Sequence, residues 1–224
     1  MYNSATLMQL RTSCFFMALV AILWLSIISG AARAHQRADQ LQDHLEQGDV
    51  VLRTECVGST RYVDAQVLVP EPPEKVWPVL ANPFEFHRNL FSRIEDLDII
   101  VDEPRISCMK TRINCGLFPP IVYVVESKYI RNQRIDFKRK EGSFRDFSGY
   151  WLLTPSMNGA STVVTFSVFV DPGLPLPQWL IREGIKIELP RTLRKLRNRV
   201  MALCNMKEPP IQQSIAAATI EQPK

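Results

Sequence analysis

The sequence predicts an α+β fold in which a curved antiparallel β-sheet wraps around one long C-terminal helix. Three observations predict it. Apolar and polar residues alternate through most of 50–170, the period-two pattern of strands with one buried face. Between the first long strand and those that follow lies "PEPPEKVWPVLANPFEFHRNLF", whose prolines allow only two short helices. After residue 177, one apolar stripe recurs at helical spacing: Leu189, Leu193, Leu196, Val200 and Leu203. A one-sided sheet needs a cover, and that helix is the only long amphipathic element available. A twisted sheet curling around one helix leaves room between the two, so the fold class implies a cavity.

The chain has 224 residues. Its start, "MYNSATLMQLRTSCFFMALVAILWLSIISGAARAHQ", has the layout of a secretory signal: a polar lead with Arg11, an apolar run from Cys14 to Ile28, and Ala32 and Ala34 before a cut at His35. The apolar run is short of the roughly 20 residues that span a bilayer, but extending it to Ala32 keeps a single-pass anchor open as the alternative. In both readings the globular part is exported, periplasmic or secreted. Residues 35–48 read as a polar linker or short helix, 49–204 as the domain, and 205–224 as a flexible tail. Removing 1–34 would remove Arg11 and Arg33 and no acid, lowering the net charge from +4 to about +2. That balance does not suggest a nucleic-acid binder.

The strands "VVLRTEC" and "STRYVDAQVLV" turn at Gly58, and the short helices fall at about 74–81 and 83–91. Six strands follow at 93–102, 105–114, 120–130, 133–140, 144–154 and 161–170, separated by turn residues such as Glu141–Gly142 and Asn158–Gly159. Pro190 is expected to kink the last helix or to start a second segment. Alternation places Phe147, Gly149, Trp151 and Leu153 on the inner face, with Phe144, Asp146, Ser148, Tyr150 and Leu152 outside. In the last strand Thr162, Val164, Phe166, Val168 and Val170 point inward. Trp77, Leu80, Phe84 and Phe91 from the short helices, and Trp179, Ile185 and Leu189 from the long one, complete the expected lining of a ligand site.

Three stretches, in order, resemble the START-like (helix-grip, SRPBCC) superfamily. They are "VLVPEPPEKVWPVLANPFEF", "FSGYWLLTPSMNGASTVVTFSVFVDPG" with Gly149, Trp151, Leu153 and Pro155 in a G-x-W-x-L-x-P pattern, and "DPGLPLPQWLIREGIKIELPRTLRKLRNRV". The likeness covers about residues 50–203 and is similar to the bacterial START, polyketide cyclase and coenzyme-Q-binding branch; the middle, 93–140, matches only in pattern. It implies a tunnel between sheet and helix that takes a hydrophobic molecule, a lipid or isoprenoid-type ligand. Lipid transfer and cyclase/dehydratase chemistry both occur in the superfamily, and the fold alone does not choose. A third reading is an envelope protein-interaction module with a vestigial pocket.

The residues favour a binding protein, acting as a monomer without cofactor, over an enzyme. Of the carboxylates of "EDLDIIVDE" (Glu95, Asp96, Asp98, Asp102, Glu103), alternation puts Asp96, Asp98 and Asp102 on one strand face, which reads as the solvated one. His87 reads as a surface histidine, and no histidine lies near a serine or cysteine that could act as nucleophile. Metal binding has no support, because no C-x-x-C pair exists and His35, His44 and His87 are scattered. Outside the signal there are four cysteines. Cys108 could meet Cys115 across a hairpin and Cys56 could meet Cys204, or all could stay free. Lys186, Arg191, Arg194, Lys195 and Arg197 make a basic helix face suited to transient contact with an anionic membrane. Finally, "FVDPGLPLPQWL" reads as a stiff hinge, with Gly173 at positive φ and Trp179 capping one end of the tunnel.

Overall fold

The computed structural model describes residues 40–91, 93–115 and 118–206. The expected signal or anchor, and all but the first two residues of the expected tail, lie outside these. The chain divides into two units, Met1–His44 and Leu45–Lys224. Of the first, residues 40–44 are described and are helical. Everything below belongs to the second.

Two strands, β1 (Val51–Val57) and β2 (Thr60–Val69), form a hairpin. Helix α1 (Pro73–Leu80) begins on Pro73, whose missing N–H is one the first turn leaves unpaired anyway, and it buries Val76, Val79 and Leu80. Asn82 caps the next turn by accepting the Phe84 N–H at 2.9 Å. That turn, α2 (Pro83–Glu85), runs on as a π turn over Phe86–Leu90. A six-strand meander follows: β3 (Ile94–Glu103), β4 (Ile106–Cys115), β5 (Phe118–Ile130), β6 (Arg134–Gly142), β7 (Asp146–Pro155) and β8 (Thr162–Asp171). Helix α3 (Gln178–Asn205) closes the domain.

All eight strands form one antiparallel sheet in the order β1-β2-β8-β7-β6-β5-β4-β3. The last strand therefore pairs with β2, setting Ala65 opposite Phe166 and Val67 opposite Val164. The hairpin and the meander become a single surface at that pairing. This is the α+β architecture of a sheet gripping a helix.

The stripe on α3 explains where the helix sits. Leu193, Leu196 and Val200 are fully buried, and this part of the helix packs on β2, β8, α1 and the π turn. Each such side chain contributes about 1.5–3 kcal/mol by leaving water. That burial answers the expectation of a break at Pro190: α3 is continuous through it. The lost backbone bond and ring clash cost about 3 kcal/mol in a helix interior, and packing of the flanking Leu189, Thr192 and Leu193 offsets it. Polar ties fix the same half. Arg199 grips the Glu85 carboxylate with two bonds of 2.8 and 2.9 Å, Arg197 donates to the Leu68 carbonyl at 3.1 Å, and Lys195 donates to the Leu90 carbonyl at 3.4 Å.

One expectation is corrected, and one open alternative is decided. Phe144 is buried rather than outward, because β7 begins only at Asp146, so the alternation cannot be carried back through the turn after Gly142. The cysteine pairs do not form, since Cys56 and Cys108, one from each, are free thiols. Cys108 and Cys115 lie on the same strand, seven positions and about 23 Å apart, far beyond the reach of a disulfide.

Candidate functional site: an apolar cavity with one hydroxyl-bearing wall

Between the sheet's inner face, the short helices and the first half of α3 lies a cavity of about 650 Å³, within the range of small-molecule sites. One wall is aromatic. Trp151 and Phe166, opposite each other in the β7–β8 register, stack at 3.8 Å with planes 6° apart. Phe86 sets its edge on Trp151 at 5.6 Å, and Phe91 sets its edge on Phe166 at 6.3 Å. Further along, Tyr123, Phe137, Phe144 and Phe147 form a chain of ring contacts at 4.9 to 5.5 Å. Such arrangements contribute beyond the area they bury.

The facing wall, on β4 and β5, carries hydroxyls among its apolar residues. Thr111 stands opposite Tyr123, and Ser107 opposite Ser127. Ser107 and Tyr129 share a hydrogen bond of 2.7 Å, and Tyr129 meets the edge of Trp77 at 6.2 Å. Burial pushes the Tyr123 phenol up to about 12, against a smaller opposing pull from the Thr111 hydroxyl. Burial likewise raises Tyr129. Charge reaches the cavity only at its rim, where Glu188 lies 3.7 Å from Arg93 and 3.4 Å from Arg191, all three well exposed. Among the described residues, no histidine lines the cavity and Glu188 is its one carboxylate.

Of the residues expected to line the site, Leu80, Phe91, Phe147, Trp151, Phe166, Val168, Ile185 and Leu189 do so. Trp77 packs against the core beside the cavity, and Leu153 and Val164 are buried outside it. Phe84 and Trp179 are corrections, since both are more than half exposed. Phe84 follows the Asn82 cap on the outer side of α2. Trp179 lies two residues, about 200° of helix, from Ile181, whose face looks into the cavity, so it points away and caps nothing. Gly173 does take a φ of 70°, with its N–H donating to the Asp171 side chain at 2.9 Å.

Neither the β3 carboxylates nor His87 reaches the cavity; the β3 acids are solvent-facing. Of the basic face, Lys186 and Arg191 pair with Glu183 and Glu188, Arg197 and Lys195 are turned to backbone carbonyls, and Arg194 is exposed. The hydroxyl wall was absent from the expected site. Its signal lies in the parity of β5, where Tyr123, Val125, Ser127 and Tyr129 share one face. Polar residues on a strand ordinarily mark the solvated side, and that masked it.

A sheet that grips a helix around an apolar cavity defines a class of hydrophobic-ligand-binding domain. Residues 69–197 match the model of the family described as polyketide cyclase / dehydrase and lipid transport, and the chain belongs to that family. Among curated proteins, none matches the sequence. Similar solved structures include human STARD10 (14% identity, TM-score 0.57, 73% of this chain and 74% of that one). Another is a STAR-related lipid transfer protein fragment from Xanthomonas axonopodis (17%, TM-score 0.54, 68% and 93%). A third is the Zhui aromatase/cyclase from Streptomyces sp. R1128 (16%, TM-score 0.52, 63% and 94%). At these identities the likeness is one of fold.

Proposed function

We propose that this domain holds a hydrophobic molecule, a lipid or isoprenoid-type ligand, in the cavity and carries it without altering it. One observation carries the reading: the interior is apolar and aromatic, and its charged groups stand only at the rim, paired with one another. Burial of apolar surface contributes about 25 cal/mol per Å², enough to retain a ligand with little polar recognition. General acid–base chemistry needs a group that titrates near the working pH; the interior offers phenols held high by burial and alcohols. The test is native mass spectrometry of the domain purified from its own compartment, followed by lipid extraction. A recurring bound molecule supports the reading. An interior that stays empty and takes up no fluorescent lipid ends it.

Cyclase or dehydratase activity is the second reading, favoured by the phenols inside the cavity of a family that includes such enzymes. Turnover of a polyketone substrate that disappears in Tyr123→Phe would establish it in place of the first.

Export follows from the N-terminal signal pattern, and N-terminal sequencing of the protein from cells would read His35 first if the segment is removed. A carrier must also meet a membrane. The proline corner exposes Leu174, Leu176, Trp179 and Leu180 beside the helix that edges the cavity, and tryptophan favours the bilayer interface. This corner is the better-suited contact. Trp179→Ala should weaken co-sedimentation with anionic vesicles severalfold.

A further inference from the structure

We infer that the cavity selects uncharged amphiphiles, holding the ligand's apolar body on the aromatic wall and its neutral oxygen on the Thr111–Tyr123 hydroxyl pair; this rests on the proposed binding function. The two walls differ in kind. The β7–β8 side presents ring faces and edges that accept no conventional hydrogen bond. Besides the Trp151 indole N–H and the Thr192 hydroxyl on α3, the polar side-chain atoms of the interior come from Thr111, Tyr123, Ser127 and Tyr129 on β4 and β5, and these are hydroxyls.

Those hydroxyls fall into two groups. Ser107 and Tyr129 satisfy each other at 2.7 Å beside Ser127. Thr111 and Tyr123 lie four positions along the strand, about 13 Å away, with Met109 opposite Val125 between them. The first group is closed on itself by the short Ser107–Tyr129 bond. In the second, Thr111 stands opposite Tyr123 in the β4–β5 register, its hydroxyl offsets only part of the effect of burial on the phenol, and the phenol keeps its own proton to donate. A ligand alcohol or ketone oxygen is the acceptor that fits.

A charged head does not fit there. A carboxylate or phosphate carried to this depth would lose its hydration and meet no cation, because Arg93 and Arg191 stand at the rim and are engaged by Glu188. Tyr123 stays a neutral donor at ordinary pH, since burial keeps its phenol protonated. The selectivity should therefore be flat between about pH 6 and 9.

Three probes with one fluorophore and one chain test this: 1-dodecylpyrene, 12-(1-pyrenyl)dodecanol and 12-(1-pyrenyl)dodecanoate, titrated with the full domain. The alcohol is expected to bind about five- to tenfold tighter than the hydrocarbon, and the carboxylate weakest. In Tyr123→Phe and, separately, Thr111→Val, the alcohol's margin over the hydrocarbon should shrink toward one while the hydrocarbon's own affinity holds. The unchanged hydrocarbon is the control for folding. Equal binding of alcohol and hydrocarbon by the unaltered protein overturns the inference and leaves the carrier reading standing. Tightest binding of the carboxylate overturns it too, by moving the polar end to the rim arginines. If none of the three binds, the carrier reading itself fails.

Discussion

Helix α3 has two halves that face different neighbours. From Leu193 onward it lies on β2 and β8, with Leu193, Leu196 and Val200 wholly buried and cations tied to Glu85, Leu68 and Leu90. Before Leu189 it looks across a cavity toward β3–β6, with Ile185 half-buried and Ile187 exposed. The same helix is thus a core element at one end and a wall at the other. Stability is concentrated in the packed half, and the open half forgoes packing that would otherwise fill it. A fold divided this way can bind a large molecule without unfolding, because the part that makes room is not the part that holds the fold together.

The largest blow to the packed half should come from Leu196→Ala, a loss of about 3–5 kcal/mol in urea unfolding, since a fully buried leucine leaves a void. Ile185→Ala in the open half should cost less than about 1 kcal/mol yet weaken ligand retention. Equal losses at the two positions would remove the distinction. At the seam, Gly149 sits where β7 passes between β6 and β8, opposite Phe137 and Val168. A Cβ there would fall on the Ser167 carbonyl oxygen and the Phe137 ring, so Gly149→Ala should cost about 2–3 kcal/mol by thermal melt and disturb both halves.

Smaller effects sharpen the comparison through pH. The hydrogen bonds from Arg199 hold the Glu85 carboxyl below its usual value of 4.5. A carboxyl lowered in the folded state contributes stability at higher pH and loses it as pH falls through the folded value. Glu85→Gln should therefore cost about 1–2 kcal/mol at pH 7 and progressively less as pH falls below 4.5. Asp64, on the outer face of β2, runs the other way: burial raises it above 3.8. Its ionised form is the strained one, so its penalty is absent below the unfolded value and complete above the folded one. Asp64→Asn should gain up to about 1 kcal/mol at pH 7 and nothing at pH 3. The proline corner should show the least on stability. Pro175→Ala with Pro177→Ala should loosen ligand retention more than it lowers the melting temperature, and the reverse order would make the corner a purely structural turn.

Much of the packed half is legible in the sequence. The Leu189–Leu203 stripe and the recurrence of Val164, Phe166 and Val168 in β8 are consequences of burial on one face, and period alone reveals them. The open half is harder to read. Phe144 belongs to a turn, where no parity applies. Phe84 and Trp179 sit at helix starts, where one residue in the starting position rotates a side chain by 100°. The β4–β5 wall is least legible, because a threonine, a serine and two tyrosines facing a cavity look the same in sequence as a solvated strand face. The partners that distinguish the two, such as Ser107 for Tyr129, lie on a neighbouring strand 22 residues away.

The acidic run of β3 has a consequence of its own. That strand is one of the two edges of the sheet. Its inner side gives Ile94 and Leu97 to the cavity, while Ile99 and Ile100 are exposed along the edge. Unpaired strand edges with exposed isoleucines invite a strand from another molecule and, from there, aggregation. Glu95, Asp96, Asp98, Asp102 and Glu103 surround that vulnerable stretch with like charge, so that two copies repel before their backbones can zip together. Residues that resemble catalytic acids in sequence are, in this position, guards of solubility.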